Sequence, residues 1–164
     1  MRCSAAGYFL AAVLLMSAFG GVLETADKNE CYTYFRITGI FEPDEITERL
    51  GLQPAEQRRI GEERKNGTAY EFASWTFGRC DSYDVITANQ MLKTIEPLLS
   101  KVNILWNIKQ AHDVRLTLEV VPTVYTGEST PCLAPTAQIM QFCLASGTEL
   151  DIDLYVLEAD DESD

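Results

Sequence analysis

Alternating apolar and polar residues predict four β-strands along this chain. In the first strand, Cys31, Thr33, Phe35 and Ile37 share one phase and the residues between them share the other. Successive side chains of a strand point to opposite faces, so each alternation is expected to bury one side only. The predicted strands are residues 31–38, 70–77, 114–120 and 150–157.

The last two strands have the most regular apolar phases. Val114 to Val120 alternates strictly, and Pro122 is expected to end that strand. In the final strand the apolar phase is expected to face the core. It consists of Leu150, Ile152, Leu154 and Val156.

Helical spacing fills the regions between these strands. Pro43 opens a short helix that Gly51 ends, with Ile46 and Leu50 as its buried stripe. Residues 84–110 keep a helical period that Pro97 divides into two consecutive helices. A last helix begins near Pro135, buries Ile139, Phe142 and Cys143, and stops at Gly147.

The element order is therefore βαβααβαβ. Strands buried on both faces would be unbroken apolar runs, whereas these alternate, which indicates a sheet with one covered face. The sequence predicts an α+β fold: a four-stranded, largely antiparallel sheet with helices mainly on one face.

The chain divides into three parts. Residues 1–23 are an apolar N-terminal segment, residues 31–157 a single domain, and residues 158–164 an acidic tail predicted to be disordered. The apolar segment has the pattern of a secretory signal peptide cleaved near Gly20. The other possibility is that the protein starts at Met16 and stays in the cytoplasm. Of the two, the sequence predicts the cytoplasmic protein that starts at Met16. No stable membrane span is expected in the folded domain.

Charge restricts the partners. The 164 residues carry 25 acidic and 13 basic side chains, a net charge of -12. Such a balance repels phosphate backbones, so nucleic acid is not predicted as a partner. A partner protein, basic in charge, fits better. The cysteines beyond Cys3 are widely spaced and are predicted to be reduced thiols.

Motifs for catalysis are missing from the sequence. His112 is the only histidine, and it is predicted to lie at the end of a helix. No CxxC, GKS, GKT or GxGxxG motif occurs. The sequence therefore predicts no catalytic residue, no metal and no cofactor, and it disfavours an enzyme without excluding one.

Outward positions of the strands supply candidate binding residues. Arg36 has the outward phase of its strand, as do Tyr34, Arg115, Glu119 and Tyr155. If these phases coincide, they form a charged and aromatic surface of the kind that proteins use for recognition. The alternative is that a helix or loop covers this face.

Two further candidates are less specific. Asp151 and Asp153 are expected on one strand face, about 7 Å apart, where they bind a cation, act in acid–base chemistry or simply solvate the sheet. Trp75 is either a core residue or a stacking platform.

A polar segment over residues 53–68 has no period and is predicted to be irregular. It contains the candidate binding residues Arg58, Arg59, Gly61 and Glu62. Its basic and acidic residues alternate, so their charges are expected to cancel, and no phosphate-binding patch is predicted.

The segments CYTYFRITGIFEPDEITERLGLQP, SWTF and LASGTELDIDLYVL closely resemble a bacterial family called domain of unknown function 4279. The resemblance covers about residues 31–157 and implies no established activity. It implies a small soluble protein without an export signal, which favours the start at Met16. The family usually follows LGL-x-P with a Trp-x-Lys-Gly-Asp-like motif. Here Gly61 fits, Glu62 substitutes conservatively and Arg58 replaces the tryptophan, so a ligand contact of that tryptophan would be altered.

Two functional hypotheses remain. The first is a small binding protein without catalysis, such as an immunity-type inhibitor of a partner protein. The second is a small-molecule sensor or enzyme that uses a cleft beside the 53–68 segment, with Arg59 and Glu62 orienting the ligand.

Overall fold

The computed structural model describes residues 28–81 and 83–158. The apolar segment 1–23 and the acidic tail from residue 159 lie outside the described residues, so the predictions for them stay predictions. The described elements are β1 (Glu30–Gly39), α1 (Pro43–Leu50), β2 (Glu56–Arg58), β3 (Ala73–Cys80), α2 (Thr87–Ile95), a 3-10 helix (Glu96–Lys101), α3 (Val102–Ala111), β4 (Val114–Tyr125), α4 (Ala137–Ser146), β5 (Glu149–Ile152) and β6 (Tyr155–Leu157).

The described strands form one mixed sheet. Their order is β2-β3-β1-β4-β5, and β6 also pairs with β4. Strands β2, β3, β1 and β4 pair in antiparallel fashion, while β5 and β6 run parallel to β4. The α+β class is confirmed, but the four-stranded, largely antiparallel sheet is corrected to six strands with parallel pairs. The parallel pairs arise because α4 is a crossover that returns the chain in the direction of β4.

Pro122 does not end the third predicted strand. Instead, β4 continues to Tyr125. Proline has no N–H to donate, and the pairing of β4 with the C-terminal strands is interrupted beside it. The ladder with β5 ends at Val120, opposite Ile152, and the ladder with β6 begins at Thr123. The single strand predicted over residues 150–157 is therefore two short strands.

Burial of the last apolar phase stops within β5. Leu150 packs against the core, but Ile152, Leu154 and Val156 are 37%, 48% and 63% exposed. The prediction that these three residues face the core is wrong, because the described helices do not cover the sheet beyond Leu150.

The helices of the described chain pack against the inward phase of the sheet. As predicted, α1 begins with Pro43 and its stripe is buried, and Gly51 ends it at a positive φ of 64°. The 84–110 region divides as predicted into α2 and α3, with the 3-10 helix joining them. In β1, Phe35 and Ile37 are fully buried in the core.

A bulge between β1 and β3 is built into this core. The register shifts between Thr33 and Phe35, where β3 contains Gly78 at a positive φ of 69°. A Cβ on Gly78 would lie 3.1 Å from the carbonyl oxygen of Thr94. Gln90 of α2 bridges the irregularity, because its amide donates to the carbonyls of Cys31 at 2.6 Å and Cys80 at 2.8 Å.

None of the described helices combines the length and the apolar character needed to cross a bilayer.

In the described part of the chain, Cys31, Cys80, Cys132 and Cys143 are free thiols.

Candidate functional site on the open sheet face

The outward phase of β1 points away from the helices. Tyr32, Tyr34, Arg36 and Thr38 are half-buried, whereas the residues between them are buried. Residues directly opposite each other on neighbouring strands share a face, so the register decides which side chains join them. We call the surface made by the outward side chains of β1 to β5 the open face.

One row across four strands has an arginine at each end. The register pairs Arg58 with Ser74, Ser74 with Thr38, and Thr38 with Arg115. Since neighbouring strands lie about 4.8 Å apart, the Cα atoms of the two arginines are separated by about 14 Å. Within the described part of the chain, the hydroxyls of Ser74 and Thr38 have no hydrogen-bond partner. The floor of this row is therefore free to bond a ligand.

Arg36 lies in the next row, opposite Thr76 of β3 and Thr117 of β4. Its guanidinium donates to the carboxylate of Glu119, which is only 4% exposed. Burial raises the pKa of Glu119, the charge of Arg36 opposes the rise, and nearby Asp151 adds to it. The Arg36 side chain is 38% exposed, so Glu119 holds it in place while part of it faces solvent.

The segment predicted to be irregular forms strand β2 and a hairpin beside the open face. Gly61 donates its N–H to the Tyr70 carbonyl, and Tyr70 donates to Glu62, each at 2.9 Å. Glu63 and Ala69 form a further antiparallel bridge. The expectation of an irregular segment is therefore wrong here, because backbone pairing requires no apolar period.

The hairpin places two arginines on one aromatic ring. The guanidinium of Arg64 lies 4.5 Å from the centre of the Tyr70 ring, and that of Arg58 lies 5.1 Å from it. Arg58 also pairs with the exposed carboxylate of Glu56. Arg64 forms no ion pair within the described residues. These contacts gather positive charge on the side of the hairpin that faces the sheet.

These groups line an open cavity of about 670 Å³. It is lined by five basic side chains and two acidic ones: Arg36, Arg58, Arg64, Lys109, Arg115, Asp113 and Glu149. The described ranges as a whole carry 19 acidic and 12 basic residues. An acidic domain thus presents a cavity whose lining is basic on balance. The cancellation of charge expected within the 53–68 segment holds for Arg58, which pairs with Glu56, but Arg64 has no ion pair within the described residues. A concave site with an excess of one sign concentrates ions of the opposite sign.

A second cavity of about 350 Å³ shares Arg36, Arg58 and Ser74 with the first. In it Tyr32 and Tyr34 stack with their ring centres 6.0 Å apart. Arg79 lies 4.0 Å from the centre of the Tyr32 ring, and burial and Glu119 raise the pKa of Tyr34. Of the mixed aromatic and charged surface that the outward phases predicted, this cavity contains Tyr34 and Arg36. Arg115 lines the larger cavity only, and Glu119 is buried.

The remaining candidates from the 53–68 segment do not line either cavity. Arg59 pairs with Asp44 of α1 at 2.6 Å, and this contact lowers the pKa of Asp44. Glu62 accepts a hydrogen bond from the Arg59 N–H at 3.0 Å. Gly61 holds the turn between them at a positive φ of 81°. Of the four candidates in this segment, Arg58 therefore lines the cavities, whereas Arg59, Gly61 and Glu62 do not.

Trp75 lies on the opposite face of the sheet. It is fully buried, its indole N–H donates to the Thr47 hydroxyl at 3.0 Å, and its ring stacks on Phe77. Of its two alternatives, the core residue is the one that the structure supports.

The two aspartates have different surroundings. Asp151 is opposite Glu119 in the pairing of β4 with β5, whereas Asp153 accepts a hydrogen bond from the Tyr155 hydroxyl at 2.8 Å. Neither lines the two cavities described above. Among the described residues, no group of three or more histidine, cysteine or acidic side chains is placed to hold a metal ion.

Sequence reasoning missed several residues of the larger cavity. Arg64 and Tyr70 line the cavity because the hairpin pairs its two strands beside the sheet, and Lys109 lines it because α3 packs next to it. Neither arrangement has a local signal in the sequence. The outward phase of β1 already placed Thr38 beside Arg36, but no local signal connected it to Ser74, which lies 36 residues further along the chain.

Comparison with known proteins gives one match. The family model described as domain of unknown function (DUF4279) matches residues 29–157. No curated protein and no solved structure matches the chain. Since the match covers most of the chain and the whole described sheet, this protein belongs to the family of the domain of unknown function 4279.

Proposed function

We propose that this protein is a binding module without catalytic chemistry, and that the open face is its binding surface. The observation that carries the proposal is the cationic cavity, whose residues come from strands β1 to β5, from α3 and from the hairpin. His112, the only histidine in the sequence, lies at the end of α3, 3.3 Å from Glu45, and does not line this cavity. The residues of the cavity bind and orient charge rather than form a pair of nucleophile and base.

The size of the cavity favours a small molecule as the ligand. About 670 Å³ falls within the range of small-molecule sites, roughly 300–1,000 Å³. The cavity also combines charged groups with Tyr70, Phe72 and Val114, and such sites fix orientation with a few polar groups among apolar ones. This is the sensor function that the sequence left as its second hypothesis, with Arg58 rather than Arg59 in the site.

A partner protein is the second candidate. The Tyr32, Tyr34 and Arg79 cluster supports it, because tyrosine and arginine dominate the centres of protein interfaces. The immunity-type inhibitor belongs to this candidate. Its partner would present an acidic group to the open face, even though the net charge of the whole chain favours a basic partner.

Photo-crosslinking in cells tests the binding surface and separates the two candidates. Phe72 lines the cavity and is 58% exposed, so it is replaced with p-benzoylphenylalanine. Leu144 on α4 is 83% exposed and receives the same replacement as a matched control. Intact mass is then measured after irradiation.

We expect adducts at position 72 and not at position 144. An added mass of a few hundred daltons identifies a small molecule, and an added mass of several kilodaltons identifies a protein. Equal labelling at the two positions, or no labelling at position 72, contradicts the proposed binding surface.

A further inference from the structure

We infer that the larger cavity takes a small molecule with two oxyanionic groups, carboxylate or phosphate, one held at each end of the arginine row. This inference rests on the proposed function and adds the chemical class of the ligand. The row has Arg58 at one end and Arg115 at the other. Guanidinium groups bind carboxylate and phosphate through paired, charge-assisted hydrogen bonds.

The first end of the row is formed by Arg58 and Arg64 on the ring of Tyr70. Arg64 has no carboxylate partner within the described residues, and the partner of Arg58 is Glu56, whose side chain is 59% exposed. Exposed ion pairs contribute little to stability. An oxyanion of a ligand can therefore replace Glu56 and bond both guanidinium groups while they rest on the ring.

The second end of the row is formed by Arg115 and Lys109. Both lie beside Glu149: the Arg115 Nε donates to its carboxylate at 2.8 Å, and the Lys109 Nζ lies 4.0 Å from it. Two cations thus share the carboxylate of Glu149, and Lys109 also donates to the carbonyl oxygen of Gly147. An oxyanion of a ligand can replace Glu149 between them. Arg115 and Glu149 are 58% and 49% exposed, so this pair too is open to exchange.

Between the two ends the cavity changes character. Its floor has the unpaired hydroxyls of Ser74 and Thr38, and Ala73, Phe72 and Val114 contribute apolar surface. This arrangement suits an uncharged body that joins the two oxyanions. The separation of the oxyanions must be smaller than the distance of about 14 Å between the end Cα atoms, because both side chains extend into the cavity.

The charge of the rest of the molecule limits the size of the anion. The described ranges have an excess of acidic residues, so a long polyanion such as nucleic acid meets repulsion outside the cavity. A small dianion meets mainly the lining of the cavity, in which five basic side chains outnumber the acidic Asp113 and Glu149. This difference explains how an acidic domain can be selective for an anionic ligand.

Isothermal titration calorimetry of the full chain at low salt tests the inference. The probes are two series of graded length: dicarboxylates from glutarate to azelate, and alkane bisphosphates of the same lengths. Heptanoate and heptyl phosphate, which carry a single oxyanionic group, are the controls. In at least one series we expect an optimal length that binds at least tenfold more tightly than the control of that series. If no probe with two oxyanionic groups exceeds its control by that factor, the inference is wrong.

Variants then locate the binding. Arg64→Gln and Arg115→Gln should each weaken the best probe at least tenfold, while their melting temperatures stay near that of the wild type. Arg49→Gln on α1 is the matched control, because it also removes an arginine from an exposed ion pair. Wild-type affinity in both cavity variants contradicts the site.

The two experiments fail separately. If position 72 crosslinks but no dianion binds, the proposed function stands and the ligand class is wrong. If position 72 does not crosslink either, both proposals are wrong.

Discussion

Replacing Trp75 with phenylalanine separates a structural role of this residue from a binding role. The tryptophan is fully buried on the helix side of the sheet and donates to the Thr47 hydroxyl at 3.0 Å. Phenylalanine keeps the stacking on Phe77 but removes the indole N–H and part of the ring. We expect a loss of stability without a loss of ligand binding.

The size of the loss follows from these contacts. A hydrogen bond of this kind contributes about 1 kcal/mol net. Removing two buried carbon atoms adds about 1.6 kcal/mol, at about 0.8 kcal/mol each. The Thr47 hydroxyl keeps its hydrogen bond to the Pro43 carbonyl at 3.2 Å, so no further cost arises from an unpaired group. The expected loss of unfolding free energy is about 2–3 kcal/mol, or roughly 10 °C in melting temperature.

Urea denaturation with fluorescence detection measures this loss. The other tryptophan, Trp106, is 44% exposed, so it remains as a reporter in Trp75→Phe. Trp106→Phe is the matched control and should change stability by less than about 1 kcal/mol, as exposed substitutions do. If Trp75→Phe keeps wild-type stability but loses the ligand of the open face, the tryptophan is a binding residue and its assignment to the core is wrong.

Three further predictions concern the core and the open face. Gln90→Leu should lower the free energy of unfolding by about 2–4 kcal/mol in a urea melt, because it leaves the carbonyls of Cys31 and Cys80 without their donor. Gln141→Leu, on the exposed side of α4, is the control and should lower it by less than about 0.5 kcal/mol. Equal losses in the two variants would contradict the bridging role of Gln90. In a thiol titration at about pH 8, we expect Cys132 to react first among the described cysteines, because it is exposed. Cys31 should react last, because burial raises its pKa to about 11. Simultaneous reaction of the two would contradict this order. Burial also raises the pKa of Glu119, so its favourable contribution is present below the ordinary carboxyl range and is lost as the pH rises through the raised pKa. Glu119→Gln should therefore gain stability relative to the wild type as the pH rises above the ordinary carboxyl range. Paired melts measure the difference, and a difference that does not change with pH would refute the direction of the shift.

Local patterns determined most of the helices and the facing of the central strands. The alternation from Cys31 to Thr38 placed Arg36 and Tyr34 outward, and the structure shows both on the open face. Pro43, Gly51 and Pro97 marked helix boundaries that the structure confirms. These features were predictable because each depends on residues within one or two turns of the chain, where backbone sterics and period act directly.

Strand pairing was not predictable in the same way. The alternation from Leu150 to Val156 has no local signal of interruption, yet the pairing of β4 with β5 and β6 breaks beside Pro122. That break depends on a residue some 30 positions earlier in the chain. Leu154 and Val156 are exposed for a related reason, since burial depends on which neighbouring element covers a side chain.

The candidate site was decided mainly by tertiary structure. From the sequence, the charges of Arg58 and Arg64 were expected to cancel against nearby glutamates, because charges were compared along the chain. In the structure Arg58 does pair with Glu56, whereas Arg64 has no ion pair within the described residues. The hairpin turns both arginines toward Tyr70, and the register brings Arg58 into one row with Arg115, which is 57 residues away in sequence. Electrostatic interaction depends on distance in space, and only the folded sheet sets that distance.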